Sequence, residues 1–369
     1  MHLRINRTMP STASAKSPIL VVGPSWVGDM VMAQSLFKTL KQRSPDAPID
    51  VLAPAWSEAL TTRMPEVRRS IGMPLGHGQL QLHERYQLGR DLQTAGYGQA
   101  IVLPNSWKSA LIPFFASIPR RTGYLGEARW VLLNDARRLD KLVLPMTVQR
   151  FVALGLEPDQ PLPEPQPVPA LSVTQSSVAQ AVQRLQLELD SRSMHSEVRV
   201  PLEAGCRERP ILALCPGAEF GAAKRWPQEH YAEVAKFLIT RGWQVWLFGS
   251  DKDIAITAMI NRETGAACID LAGRTTLAEA VDLLSLATLV VSNDSGLMHV
   301  AAALGRKLIA IYGSSDPGFT PPLSNTAHIL SLGLECSPCF QRECPLVHLK
   351  CLKDISPAKV LQTISEMTA

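Results

Sequence analysis

Between residues 157 and 170 a proline falls at positions 158, 161, 163, 165, 167 and 169. Proline has no N–H to donate and a fixed φ, so this stretch cannot continue a helix or sit inside a sheet. It reads as an extended connector. On either side the chain repeats one pattern, a short apolar run followed by a segment with helical spacing. Before the connector, strands are expected at Ile19–Val22, at 49–53 and at 100–103, with a helix over 30–40 that carries Met32, Leu36 and Leu40 on one face. After it, strands are expected at Ile211–Cys215, 244–248, 289–292 and 308–311, with helices at 231–241, 276–286 and 295–304. Continuous apolar strands separated by helices predict α/β domains built on parallel sheets covered on both faces.

The length of 369 residues and the 46% apolar content supply material for two such domains. The expected division is a disordered leader at 1–17 and a first domain at 18–170, closed by the Pro-rich connector 157–170. A second domain follows at 171–352, then a final helix within 353–369 opened by Ser356 as N-cap and Pro357 as first helical residue. Residues 175–189 read as helical and 191–210 as a charged surface loop. In sheets of this kind ligands sit outside the carboxyl ends of the strands, in the loops that follow them.

Composition narrows the partners. A net charge of +4 with no dense Lys/Arg stripe among aromatics does not point to nucleic acid. No apolar run approaches the roughly 20 residues needed to span a bilayer. The polar residues 1–17 lack the apolar core of a secretory signal. Seven cysteines in a chain this long, without an export signal, suggest a reducing cytoplasm.

Three loops carry candidate chemistry. Residues 23–30, Gly-Pro-Ser-Trp-Val-Gly-Asp-Met, have the glycine spacing of a phosphate loop, but Asp29 stands where that loop needs a lysine. An acid there suits a general base or a hydroxyl-binding group, and it equally suits the positive end of a helix dipole. Residues 292–299 join a buried strand to an Ala-rich helix, so the N–H groups of Ser295, Gly296 and Leu297 offer an anion site. Asp294 would then accept from sugar hydroxyls, or simply cap the helix with His299 semi-buried behind it. Residues 215–227 follow a strand and end in Lys224 and Arg225, a point charge and a bidentate fork suited to a diphosphate. Asn105, Lys108, Arg120 and Arg121 are expected to follow a first-half strand, where cations would meet an anionic acceptor. Cys336, Cys339, Cys344 and Cys351 crowd four thiols into one short segment. They are candidate ligands for a structural zinc, with His348 as a substitute and free thiols or disulfides as the competing readings. No G-x-G-x-x-G follows a strand, and no lysine-bearing P-loop, G-x-S-x-G or H-E-x-x-H occurs. Nucleoside-diphosphate chemistry on loops and helix termini is what remains.

Six ordered stretches, GPSWVGDM (23–30), APAW (53–56), MPLGHG (73–78), LPNSWKSALIPFF (103–115), CPGAEFGAAKRWP (215–227) and NDSGLMHVAAAL (293–304), resemble the bacterial lipopolysaccharide heptosyltransferases, type II members most closely. The resemblance runs from about Ile19 to the end. It implies a GT-B fold of two Rossmann-like domains facing across a cleft, with a C-terminal helix that returns to the first domain. It further implies an inverting transfer of heptose from ADP-L-glycero-β-D-manno-heptose to the first heptose of the lipopolysaccharide inner core. The enzyme would be cytoplasmic and peripheral to the inner membrane of a Gram-negative cell. By the same resemblance Asp29 is the base, and Lys224 with the N–H groups of Ser295 and Gly296 holds the diphosphate. Asp294 orients the donor heptose, and the donor set extends to Gly217, Glu219, Arg225, Gly249 and His299. The acceptor set is Ser25, Trp26, Asn105, Lys108, Arg120 and Arg121. No cofactor is required for the step, because Lys224 and the helix dipole supply the positive charge. The alternatives are a type I or other heptosyltransferase, a non-catalytic ADP-sugar-binding module, and a sugar-nucleotide epimerase. The last leaves the first-half cations unexplained.

Overall fold

The computed structural model describes residues 17–74, 79–187 and 209–368. The leader expected at 1–17 thus lies outside them except for its last residue, as do residues 75–78 of the 73–78 motif and most of the 191–210 loop.

Six strands form the first sheet: β1 (Ile19–Val22), β2 (Ile49–Pro54), β3 (Val67–Met73), β4 (Gln99–Val102), β5 (Arg120–Tyr124) and β6 (Asp135–Arg137). Its order is β3-β2-β1-β4-β5-β6, and every pairing is parallel. The second sheet holds β7 (Ile211–Cys215), β8 (Gln244–Leu247), β9 (Ile269–Asp270), β10 (Leu289–Asn293), β11 (Lys307–Ile311) and β12 (Ala327–Leu330). Its order, β12-β11-β10-β7-β8-β9, repeats the first sheet's connectivity, again all parallel. In each sheet the chain starts at the centre and leaves it in both directions. The crevice for a ligand therefore lies between β1 and β4, and between β7 and β10.

Helices α1 (Val27–Arg43), α2 (Glu58–Thr61), α3 (Leu82–Leu92), α4 (Leu111–Phe115) and α5 (Thr147–Leu154) belong with the first run of strands. With the second run come α6 (Gln175–Arg184), α7 (Gln228–Ile239), α8 (Ile254–Glu263), α9 (Leu277–Leu284), α10 (Gly296–Ala303), α11 (Lys350–Lys353) and α12 (Pro357–Thr368). The first core joins Leu20 and Val22 of β1 to Leu52, Ala100, Val102 and Ile112. Both central strands are buried along their whole length, which is why they read as unbroken apolar runs. Helix α9 starts as the sequence suggests. Thr276 accepts from the Glu279 N–H and Glu279 reaches back to the Thr276 N–H, a reciprocal cap.

The chain forms two compact units, one reaching Ser25 and resuming over Ala33–Pro167, the other made of Trp26–Met32 and everything from Val168. The division falls inside the Pro-rich connector, between Pro167 and Val168. The grouping of the first turns of α1 with the second unit was not expected. Helix α12 packs within the second unit. Val360 and Ile364 lie in the second unit's own core beside Tyr231, Val234 and Ile309, and Lys307 Nζ donates to the Met367 carbonyl at 2.6 Å. The buried face of the closing helix thus completes the core of the second unit.

Candidate active site

In the second unit the loop after β7 and the turn after β10 meet. Lys224 Nζ lies 2.5 Å from Asp294 Oδ2, and Asp294 is almost wholly buried. Asn293 fastens the two segments. Its Nδ2 donates to the Pro216 carbonyl at 2.7 Å, and its Oδ1 accepts from the Trp226 N–H at 2.9 Å and the Tyr231 hydroxyl at 3.0 Å. The turn carrying Lys224 is supported from below. The Ala223 N–H donates to the Arg342 carbonyl at 3.0 Å, and Gly221 approaches that oxygen so closely that a Cβ would sit 2.3 Å from it. Only glycine fits there. Phe220 lies beneath both the Lys224 ammonium, 5.1 Å from the ring centre, and the Arg342 guanidinium, at 5.4 Å.

Ser295 precedes α10 in extended conformation, and its hydroxyl lies 3.2 Å from that of Ser292 instead of capping the helix. The first N–H groups of α10 have no partner within the helix, so they face outward with the positive end of the dipole. The α1 segment grouped with this unit approaches closely. A Cβ on Gly28 would lie 2.6 Å from His299 Cδ2, and one on Gly296 would lie 2.7 Å from Val27 Cβ. The two glycines bring Asp29 into the field of Lys224 and Asp294. Burial holds the Asp29 carboxyl up at about 6, Lys224 drawing it down and the Asp294 carboxylate pushing it further up. Burial also pulls His299 down to about 4, against the pull of Asp294, so its imidazole is neutral at pH 7.

The remaining donor candidates are placed as follows. Gly217 and Gly249 both make room for Asp253, whose carboxylate and Cβ occupy the positions a Cβ would take at 2.6 and 2.7 Å. Asp253 accepts from the Ser250 N–H and hydroxyl and faces Arg225 at 3.9 Å. Glu219 is ion-paired with Lys252. Asp253 and Asn293 were missed in the sequence. The Ser250-x-x-Asp253 spacing that forms a capping box is the signal that pointed to Asp253.

In the first unit Ser25 is exposed at the end of β1. Trp26, exposed as well, falls with the second unit. The loop after β4 holds Asn105 and Lys108, and Asn105 Oδ1 accepts from the buried Arg129 at 3.1 Å. Arg120 and Arg121 require a correction. They begin β5 and pair with Gln99 and Ala100 at the start of β4, so they sit at the amino edge of the sheet, opposite the loop of Asn105. Arg120 is bound to Asp135 and Glu157. Arg121 donates to the carbonyls of Leu132 and Ile118. Both are tied to groups of the first unit itself, and the strand that starts with them leaves no apolar run because its first residues are charged.

The four cysteines share one neighbourhood. Cys351 is buried on α11, and its thiol is pushed up by burial and then by Cys344, Cys336 and Cys339. Yet among the described residues no three His, Cys, Asp or Glu side chains are arranged to hold a metal ion. Cys351 is buried, while the other three thiols lie on a half-exposed loop.

Residues 85–350 match the model of glycosyltransferase family 9 (heptosyltransferase). The chain is 49% identical to lipopolysaccharide heptosyltransferase 2 of Salmonella typhimurium, covering 95% of this chain and 98% of that protein. It is 48% identical to lipopolysaccharide heptosyltransferase 2 of Escherichia coli with the same coverage. The solved structure of E. coli ADP-heptose LPS heptosyltransferase II superposes with a TM-score of 0.81 at 45% identity, over 95% of this chain and 98% of that one. With two all-parallel six-stranded sheets and these matches, the chain has the GT-B architecture and belongs to glycosyltransferase family 9, the heptosyltransferases.

Proposed function

We propose that this chain is a lipopolysaccharide heptosyltransferase of the second type. In this reading it moves L-glycero-D-manno-heptose from ADP-heptose to the first heptose of the inner core, with inversion at the anomeric carbon. The relatives named above support the donor and acceptor classes. One observation carries the mechanism: a carboxyl held at about 6 beside a lysine and a helix N-terminus. Asp29 takes the proton of the acceptor hydroxyl as its oxygen attacks the anomeric carbon. The bond to the diphosphate breaks as the new one forms, and the released charge falls on ADP. Lys224 and the N–H groups of Ser295 and Gly296 meet that charge where it develops. Asp294, released from Lys224 by the phosphate, accepts from the donor heptose hydroxyls. Because cation and helix terminus supply the positive charge, this reading places no metal in the step.

Among the described residues no helix is long and apolar enough to cross a membrane. The acceptor is itself lipid-anchored, so the proposal includes peripheral work at the cytoplasmic face of the inner membrane. The test is ADP release from ADP-heptose with Kdo₂–lipid A acceptors that carry one heptose or none. Release only with the heptose-bearing acceptor supports the second-type reading. Release with the heptose-free acceptor reassigns the chain to the first type. Donor binding without release on either leaves an ADP-sugar-binding module.

A further inference from the structure

In the first unit, Arg129 is completely buried, and the oxygens that accept from it are all neutral. A buried guanidinium without a paired carboxylate is expensive unless its N–H groups are all used. Here they gather one loop. Nη1 donates to the Pro104 carbonyl at 2.5 Å, the Ser106 carbonyl at 3.4 Å and Ser109 Oγ at 3.3 Å. Nη2 donates to Asn105 Oδ1 at 3.1 Å and, like Nε, to the Tyr124 carbonyl. The turn that delivers Arg129 also grips the loop. Glu127 accepts from the Trp107 N–H at 2.9 Å, and Gly126 comes so close that a Cβ would lie 3.0 Å from the Asn105 carbonyl. Glu127 and Ala128 hold φ of 39° and 53°, the left-handed region that costs energy for residues with a side chain. A second buried arginine, Arg85, donates to the Lys108 carbonyl at 3.0 Å from the other side.

We propose that Arg129, assisted by Glu127, is a positioning residue that presets the 104–109 loop so that Asn105 and Lys108 meet the acceptor in a fixed arrangement. This rests on the reading above that the loop binds the acceptor. The physical reason for an arginine is its planar fork. No other side chain supplies five donors in fixed directions to oxygens of five separate residues, and a lysine in its place loses most of them. Burial pulls the guanidinium down to about 10, which leaves it charged at neutral pH.

The experiment compares Arg129→Lys, Glu127→Gln and Lys108→Ala with the unaltered chain. Rates are measured over a series of heptose-bearing Kdo₂–lipid A concentrations. ADP affinity and hydrogen exchange of the 104–109 amides are measured in parallel. Arg129→Lys is expected to raise the acceptor KM by about tenfold or more, the change produced by losing one charge-assisted hydrogen bond. It should change kcat far less, leave ADP affinity unaltered and lose exchange protection only around 104–109. Glu127→Gln, which keeps the shape of the turn, is expected to shift KM in the same direction by less. A wild-type KM in Arg129→Lys with a raised KM in Lys108→Ala overturns the proposal and leaves the acceptor reading standing. Wild-type KM in all three variants overturns the acceptor reading itself. Loss of protection across the whole first unit, with kcat and KM failing together, marks Arg129 as structural only and overturns the proposal as well.

Discussion

The loop after β4 and the loop after β7 each follow a central strand of their own sheet, and they are held by opposite means. The first is fixed by a buried arginine that donates to neutral oxygens, so its geometry hardly responds to pH or to a bound anion. The second carries opposed charges, Lys224 against Asp294 with Asp29 in their field, so an entering anion would compete with Asp294 for Lys224. The difference teaches that a doubly wound sheet dictates where a site lies and not what kind it is. A rigid clamp of one arginine on neutral oxygens suits presentation of a large acceptor. A charged and partly neutralised cluster suits a step in which charge moves.

The sharpest way to break this comparison is Asp29→Asn. Turnover is expected to fall by about 10²–10⁴-fold, the range of general-base catalysis, with ADP affinity nearly intact. The same variant removes a carboxylate that is held at about 6 and therefore charged in a half-buried position at pH 7. Stability should then rise, by up to about 3 kcal/mol. Wild-type turnover in a steady-state assay would remove Asp29 from the role.

Next in size is Ile364→Ala, which opens a cavity in the second unit's core and should cost about 2–5 kcal/mol in denaturant unfolding. A loss below about 1 kcal/mol would contradict the placement of α12. Lys224→Ala is expected to weaken ADP by about 10- to 100-fold at fixed ionic strength, as loss of a charge-assisted contact does. Unchanged affinity by calorimetry would shift the diphosphate away from this lysine.

The smallest effect is on stability against pH. Asp29 has a folded value of about 6 against 3.8, so between those values the folded chain holds a proton the unfolded chain releases, and stability falls as pH rises. His299 has a folded value of about 4 against 6.5, so the unfolded chain holds the extra proton, and stability rises with pH across that window. From about pH 4 to 6 the two nearly cancel. In Asp29→Asn the histidine's contribution is no longer offset, and the melting temperature should climb from pH 4 to 6.5. A flat profile in that variant would show that His299 is not buried as described.

Much of this was legible before the structure. Ile19–Val22 and Ile211–Cys215 are central strands because the centre of a sheet covered on both faces admits only apolar side chains, and that leaves a continuous run in the sequence. Edge strands were not legible. β3 and β6 are half-exposed and charged, and β9 has two residues, so none leaves an apolar run. Asp29, Lys224 and Asp294 were visible because each is an unusual residue type just past an apolar strand. Arg129 was invisible, since a buried arginine and a solvated one look alike in sequence. Arg120 and Arg121 were misplaced for the converse reason, as two cations near a strand do not say which edge of the sheet they occupy.

By itself the sequence determined the two α/β halves, the connector between them and the loops that carry chemistry. Hydrophobic periodicity, proline and glycine act over a few residues, and a linear chain records them directly. Only the tertiary structure decided which loops share a field, that α12 completes the second unit, and that one arginine is buried among carbonyls while two others are tied at the far edge. Those outcomes depend on burial and on distances between residues far apart in the chain, and a local pattern contains neither.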